Sequence, residues 1–212
     1  IINRQQGYES SIPLRSLITR NDITHYKLKK LMEIKKSRLC FSADILDTDK
    51  LFKILENIGK YIVICKIHYD IFDDIDKSIK NRLIDYSIKN NFLIMEDRKF
   101  VDISYITNIQ YKTFQNWVDL VTVMGCVNDE VVKNMSGVLI VANMSNNNWN
   151  MNDSAIKLAK NNSKNVIGFI TQEKIECDNK LSFTPGINLS NYNIKDQKYK
   201  NVNNINTDII IV

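Results

Sequence analysis

Eight short apolar runs, separated by amphipathic stretches, restrict this chain to very few folds. Seven are distinct, at residues 39–42, 61–66, 92–96, 120–124, 138–142, 166–170 and 207–212, and a weaker eighth lies at 181–184. The runs are rich in β-branched residues and apolar on both faces, the pattern of strands buried within a parallel sheet. The stretches between them have helical spacing: residues 48–58 place Leu51, Ile54, Leu55 and Ile58 on one face. Residues 74–90 do the same with Ile75, Ile79, Leu83 and Tyr86, and a further helix is predicted over 26–36. Strand–helix alternation means an α/β fold. Eight strands favour a TIM (β/α)8 barrel over an open, doubly wound sheet. The last run reaches Val212, so the loop and eighth helix expected of such a barrel are absent from the sequence shown.

A chain of 212 residues is long enough for one domain with a full core. The net charge of +5 is mild, and no basic run is interleaved with aromatic residues. This balance suits a small anionic ligand and does not call for nucleic acid. No apolar run approaches the ~18 residues needed to cross a bilayer, and no signal-peptide pattern is present, so a cytoplasmic protein with no membrane partner is expected. The cysteines Cys40, Cys65, Cys126 and Cys177 are far apart, three of them within apolar runs. They read as reduced thiols, with no metal site. Only six glycines occur, and no GxGxxG or Walker pattern. Each of the two histidines, His25 and His68, is read as structural.

Functional residues of a barrel gather at the C-terminal ends of its strands. Here the first strand ends in Ser42-Ala43-Asp44, the second in Lys66-Ile67-His68-Tyr69-Asp70 and the third in Glu96-Asp97-Arg98-Lys99-Phe100-Val101-Asp102. Asp97 and Lys99 are two apart and point the same way on an extended segment. Lys66, one strand over, can reach Asp97 from the side. Such alternating charges fix one another's protonation states, and could hold an ammonium as a positioned proton donor. The same residues could equally form a structural salt-bridge network at the barrel rim.

The segment Phe92-Leu-Ile-Met-Glu-Asp-Arg-Lys-Phe-Val-Asp-Ile103 resembles the signature of the orotidine 5′-monophosphate decarboxylase family, a D-x-K-x-x-D-I core. Leu39-Cys-Phe-Ser-Ala-Asp44 is similar to that family's first strand, and Cys65-Lys-Ile-His-Tyr-Asp70 to its K-T-H-x-D segment. Val141-Ala-Asn-Met-Ser145, Gly168-Phe-Ile170, Thr184-Pro-Gly186 and Asp196-Gln-Lys-Tyr199 follow in the family's order. Residues 1–24 resemble the end of an orotate phosphoribosyltransferase domain plus a linker, and 25–212 the decarboxylase barrel. That is the order of the two domains in eukaryotic-type UMP synthase. The resemblance implies decarboxylation of orotidine 5′-monophosphate to UMP in pyrimidine biosynthesis, without metal or organic cofactor. Lys99 matches the proton donor to C6, Asp97 the aspartate beside the substrate carboxylate, and Lys66 its lysine neighbour. Asp102 matches an aspartate contributed from the other subunit, which implies a homodimer with active sites at the interface. Asp44 and Lys66 match ribose contacts, Ser42 and Ser145 groups near the base, and Gln197 and Tyr199 phosphate-side contacts. Pro185 falls in a matching substrate-binding segment.

The chain departs from the pattern in several places. Ile106 stands where the family carries a threonine, with Thr107 one residue out of register. The stretch after Ser145 is Asn146-Asn-Asn-Trp149 in place of small residues and glycine, and Met124 replaces a common histidine. The family's Gly-Arg phosphate clamp, which follows the last strand, is missing from the sequence shown. An alternative reading is therefore a catalytically degraded homologue, acting as a nucleotide-binding or structural interaction module.

Overall fold

A computed structural model of the chain describes residues 21–73, 77–146, 150–187, 199–201 and 205–212. The remainder lies outside the described residues, and with it nearly all of the proposed stub at 1–24, the start of the helix at 74–90, Asn147 to Trp149, and Gln197.

The strands β1 (Leu39–Ser42), β2 (Ile64–Ile67), β3 (Leu93–Phe100), β4 (Leu120–Met124), β5 (Val138–Val141), β6 (Val166–Ile170), β7 (Leu181–Thr184) and β8 (Ile209–Ile211) close into one barrel in sequence order. Every pairing is parallel. The helices α1 (Asn21–Lys35), α2 (Thr48–Ile58), α3 (Lys77–Asn90), α4 (Ser104–Lys112), α5 (Asp129–Val132) and α6 (Asn152–Asn161) precede or link the strands. The barrel predicted from the eight runs is the observed architecture. The helix expected at 26–36 begins earlier, at Asn21.

Two hydrophobic layers hold the fold. Inward residues such as Ile64, Met95, Leu139 and Phe183 fill the barrel, and Leu28 and Leu31 of α1 join them, so α1 plugs its N-terminal end. A second layer lies between strands and helices. In α2 the buried residues are Leu51, Phe52 and Leu55, whereas Ile54 and Ile58 are half-buried. The apolar stripe is rotated from the predicted one because the Phe52 ring packs 5.1 Å from that of Tyr86 on α3. Asp47 starts α2 by accepting the Lys50 N–H at 3.0 Å, satisfying one of the free amides of a helix N-terminus.

The seam between β1 and β8 rests on few pairs. Ile210 N–H donates to Arg38 O, Val212 N–H to Cys40 O, and Ser42 N–H to Val212 O at 2.7 Å. The Arg38 guanidinium reinforces the seam by donating to Thr207 O at 2.8 Å. Gly168 shows how tightly the ring is drawn: a Cβ there would lie 2.0 Å from Leu181 O on β7. Cys40 and Cys65 are buried free thiols, as small apolar residues would be, while Cys126 is exposed. Among the described residues, no helix is long and apolar enough to cross a membrane.

Candidate active site at the barrel mouth

The C-terminal ends of β1, β2 and β3 bring Asp44, Lys66, Asp97 and Lys99 into one chain of alternating charge. Lys66 Nζ lies 3.0 Å from Asp44 Oδ1 and 3.5 Å from Asp97 Oδ2, and Lys99 Nζ lies 2.8 Å from the same Asp97 oxygen. Ser42 Oγ donates to Asp44 Oδ2 at 2.8 Å. The group holds two carboxylates and two ammoniums, so it balances without a counter-ion.

Burial alone would push the Asp97 carboxyl up, but the charges of Lys99 and Lys66 overcome it and hold the pKa at about 2. Burial likewise opposes the Lys66 ammonium, yet Asp97 and Asp44 raise its pKa above the ordinary lysine value. Asp44 is also held low, with Lys66 outweighing its partial burial. Each charge exists because its neighbour does.

His68, read from the sequence as structural, stands inside this network. Its Nε2 is 3.0 Å from Lys66 Nζ, and burial together with Lys66 lowers its pKa. A neutral ring with its proton on Nδ1 accepts one ammonium hydrogen and thereby orients Lys66. His25 lies on α1, at the opposite end of the barrel.

Asp97 and Lys99 meet, but not by simple strand alternation. Glu96 pairs with Val121 and Phe100 with Val123, so residues 97–99 bulge opposite the single residue Thr122. Within the bulge Lys99 takes a left-handed conformation, φ 53°. Its N–H donates to Thr122 Oγ1 at 2.8 Å, and Thr122 Oγ1 donates in turn to Asp97 Oδ1 at 2.8 Å. Thr122 was missed by sequence reading, although it is the one polar residue in an otherwise apolar strand, Leu-Val-Thr-Val-Met.

These side chains line a cavity of about 360 Å³. Ser42, Asp44, Lys66, Asp97, Lys99, Ser145, Pro185 and Tyr199, all singled out in the sequence, share its wall. In a ring of eight, β3 and β7 face each other, so Pro185 and Gly186, which follow β7, lie across from Lys99. Val141, Ile170 and Ile211 supply apolar lining, giving a flat ring somewhere to lie. Asp102 stands apart: it is exposed, does not line the cavity, and its Oδ1 accepts the Ile103 N–H at 2.7 Å. Neither Ile106 nor Met124 lines the cavity. Thr107 does not stand in for the altered residue, because its buried hydroxyl donates within α4 to Ile103 O and Ser104 O. Among the described residues, no cluster of three or more His, Cys, Asp or Glu side chains could hold a metal ion.

Residues 37–212 match the family described as orotidine 5′-phosphate decarboxylase / HUMPS. The chain belongs to that family. It is 33% identical over 215 residues to the orotidine 5′-phosphate decarboxylase of Pachysolen tannophilus, covering 88% of this chain and 80% of the relative. It is also 33% identical over 214 residues to the decarboxylase of Pichia kudriavzevii, covering 88% and 82%. The orotidine 5′-monophosphate decarboxylase of Methanocaldococcus jannaschii, solved with the inhibitor BMP, shares its fold with a TM-score of 0.63 at 20% identity. That match covers 83% of this chain and 88% of the archaeal one. The decarboxylase family match spans every strand of the barrel, and with it the whole charged mouth.

Proposed function

We propose that this chain decarboxylates orotidine 5′-monophosphate to UMP, with Lys99 as the proton donor. One observation carries the reading: Asp44, Lys66, Asp97 and Lys99 form an unbroken chain of opposite charges on one cavity wall, with Asp97 held ionised. The C6–carboxylate bond breaks, carbon dioxide leaves with its former carboxylate carbon, and the bonding electron pair remains on C6. The Lys99 ammonium stabilises that pair by proximity and then transfers a proton to it, giving the C6–H of UMP. A proton from solvent restores Lys99. Charge fixed before the reaction costs no reorganisation during it, which makes such stabilisation large. Asp97 meets the substrate carboxylate as a like charge and keeps both ammoniums in place. No step requires a metal or an organic cofactor.

The remaining contacts follow the cavity wall, apart from Gln197, which lies outside the described residues. Asp44 and Lys66 take the ribose hydroxyls, Ser42 and Ser145 the base, Gln197 and Tyr199 the phosphate side, and Pro185 is a further substrate contact. Asp102 completes the site of a second copy in a homodimer. The exposed apolar side chains around it, Val101, Ile103, Tyr105 and Ile109, support that arrangement.

The test is the loss of orotidylate absorbance on adding the purified full-length protein. Turnover is expected, and Lys99→Ala should lose at least on the order of 10³-fold with its circular dichroism unchanged. Absence of turnover by the unmodified protein would overturn the assignment.

A further inference from the structure

We infer that Thr122 is a positioning residue for the Asp97–Lys99 pair, an inference that rests on the catalytic reading of those two residues. The side chain is fully buried, on a strand whose other four residues are apolar, and it does not line the cavity. A ligand therefore cannot touch it. A buried hydroxyl on an apolar strand must find partners or lose stability. Both of its partners here belong to the catalytic segment.

The direction of these hydrogen bonds is fixed by chemistry. The backbone N–H of Lys99 can only donate, so Thr122 Oγ1 accepts from it at 2.8 Å. The single hydroxyl proton is then committed to Asp97 Oδ1, also at 2.8 Å. The other Asp97 oxygen, Oδ2, faces Lys99, Lys66 and His68. Thr122 thus occupies the carboxylate oxygen opposite the one that Lys66, Lys99 and His68 face, and stops the carboxylate from rotating away from the ammoniums. The same hydroxyl ties down the backbone of Lys99, whose φ of 53° is costly for any residue other than glycine. A donor to an ionised acceptor makes a stronger bond than a neutral pair. The relay N–H to O–H to carboxylate also polarises each member. One hydroxyl therefore sets the orientation of the carboxylate and the path of the lysine backbone.

Two variants test the assignment. Thr122→Val keeps the shape and removes the hydroxyl, and Thr122→Ser keeps the hydroxyl and removes a methyl. Thr122→Val is expected to lower kcat roughly 10- to 100-fold, the effect of losing one charge-assisted hydrogen bond, with KM within about threefold. It should also speed hydrogen exchange at the Lys99 amide. Thr122→Ser should restore both kcat and amide protection to near the parent values. If Thr122→Val does not fold, Thr122→Ala carries the same expectation. A Thr122→Val protein that melts earlier but turns over at the parent kcat would reduce the residue to a structural role and overturn the inference. So would a Thr122→Ser protein as slow as Thr122→Val. A parent with no turnover would overturn the decarboxylase reading and the positioning role together, whereas equal turnover by parent and variant overturns Thr122 alone.

Discussion

Glu96 and Asp97 are neighbours in the chain and end in opposite protonation states. Asp97 has two ammoniums and a hydroxyl around it. Glu96 is fully buried and, among the described residues, accepts only the Tyr69 N–H at 3.1 Å and has no partner at Oε1. Burial pushes its pKa to about 8, with the Asp70 and Asp97 charges adding to the rise against the Tyr69 hydrogen bond. Glu96 is therefore neutral at pH 7 and leaves the charge balance of the mouth intact. Its effect on stability has a definite sign. Between its unfolded value near 4.5 and its folded value near 8, the folded protein binds more protons than the unfolded chain. Stability from this residue consequently falls as pH rises through that window and stays low above it. Glu96→Gln removes the titration, so the melting temperature of the variant should gain on the parent steadily from pH 5 to pH 8. A constant difference across that range would show that Glu96 does not titrate there.

At the scale of elements, the C-terminal end of α1 is anchored through one side chain. The Lys35 ammonium donates to Gly59 O at 3.0 Å, Ile62 O at 2.6 Å and Asn90 O at 2.7 Å, gathering the ends of α2 and α3 and the approach to β2. Lys35→Ala strips all three carbonyls of their donor and should destabilise the fold by about 2–3 kcal/mol in denaturant titration, since bonds to a charged group are the stronger kind. A loss below about 0.5 kcal/mol would mean that water replaces the ammonium without cost. Most elements were legible beforehand because apolar runs of four or five residues mark buried strands directly: β1, β4, β6, β7 and α2 have the predicted bounds. Strand β3 was legible only in its first half, since it runs on from the apolar run through charged residues to Phe100. Its charged positions were recognisable as a site from their alternation, yet the bulge that brings them together was hidden. A left-handed lysine leaves no mark in a sequence, and the threonine opposite it read as one more strand residue. The place of His68 in the network was not legible for a related reason: it depends on a lysine at the end of β2 and an aspartate on β3.

At the scale of the whole molecule, the exposed apolar surface near α4 bears on assembly. Ile103 and Tyr105 are 64% and 69% exposed, on either side of Ser104 and next to Asp102. Ile103→Glu should shift a homodimer towards monomer in analytical ultracentrifugation and lower turnover with it, because a charge cannot enter an apolar contact unpaired. A monomeric parent, or a variant that remains fully dimeric, would rule out this face as the dimer contact. The barrel seam has a consequence of another kind. Arg38 and Thr207, which clasp across it, are 169 residues apart. During translation β1 emerges well before β8, and its outer edge keeps unpaired amides and carbonyls until β8 has left the ribosome. Through that interval the nascent chain is an open sheet with two sticky margins, the form most prone to pair with a neighbour. The cavity draws on residues from β1, β3, β5 and the end of β7 at once, so no growing fragment can hold the nucleotide in this enclosure before the circle closes.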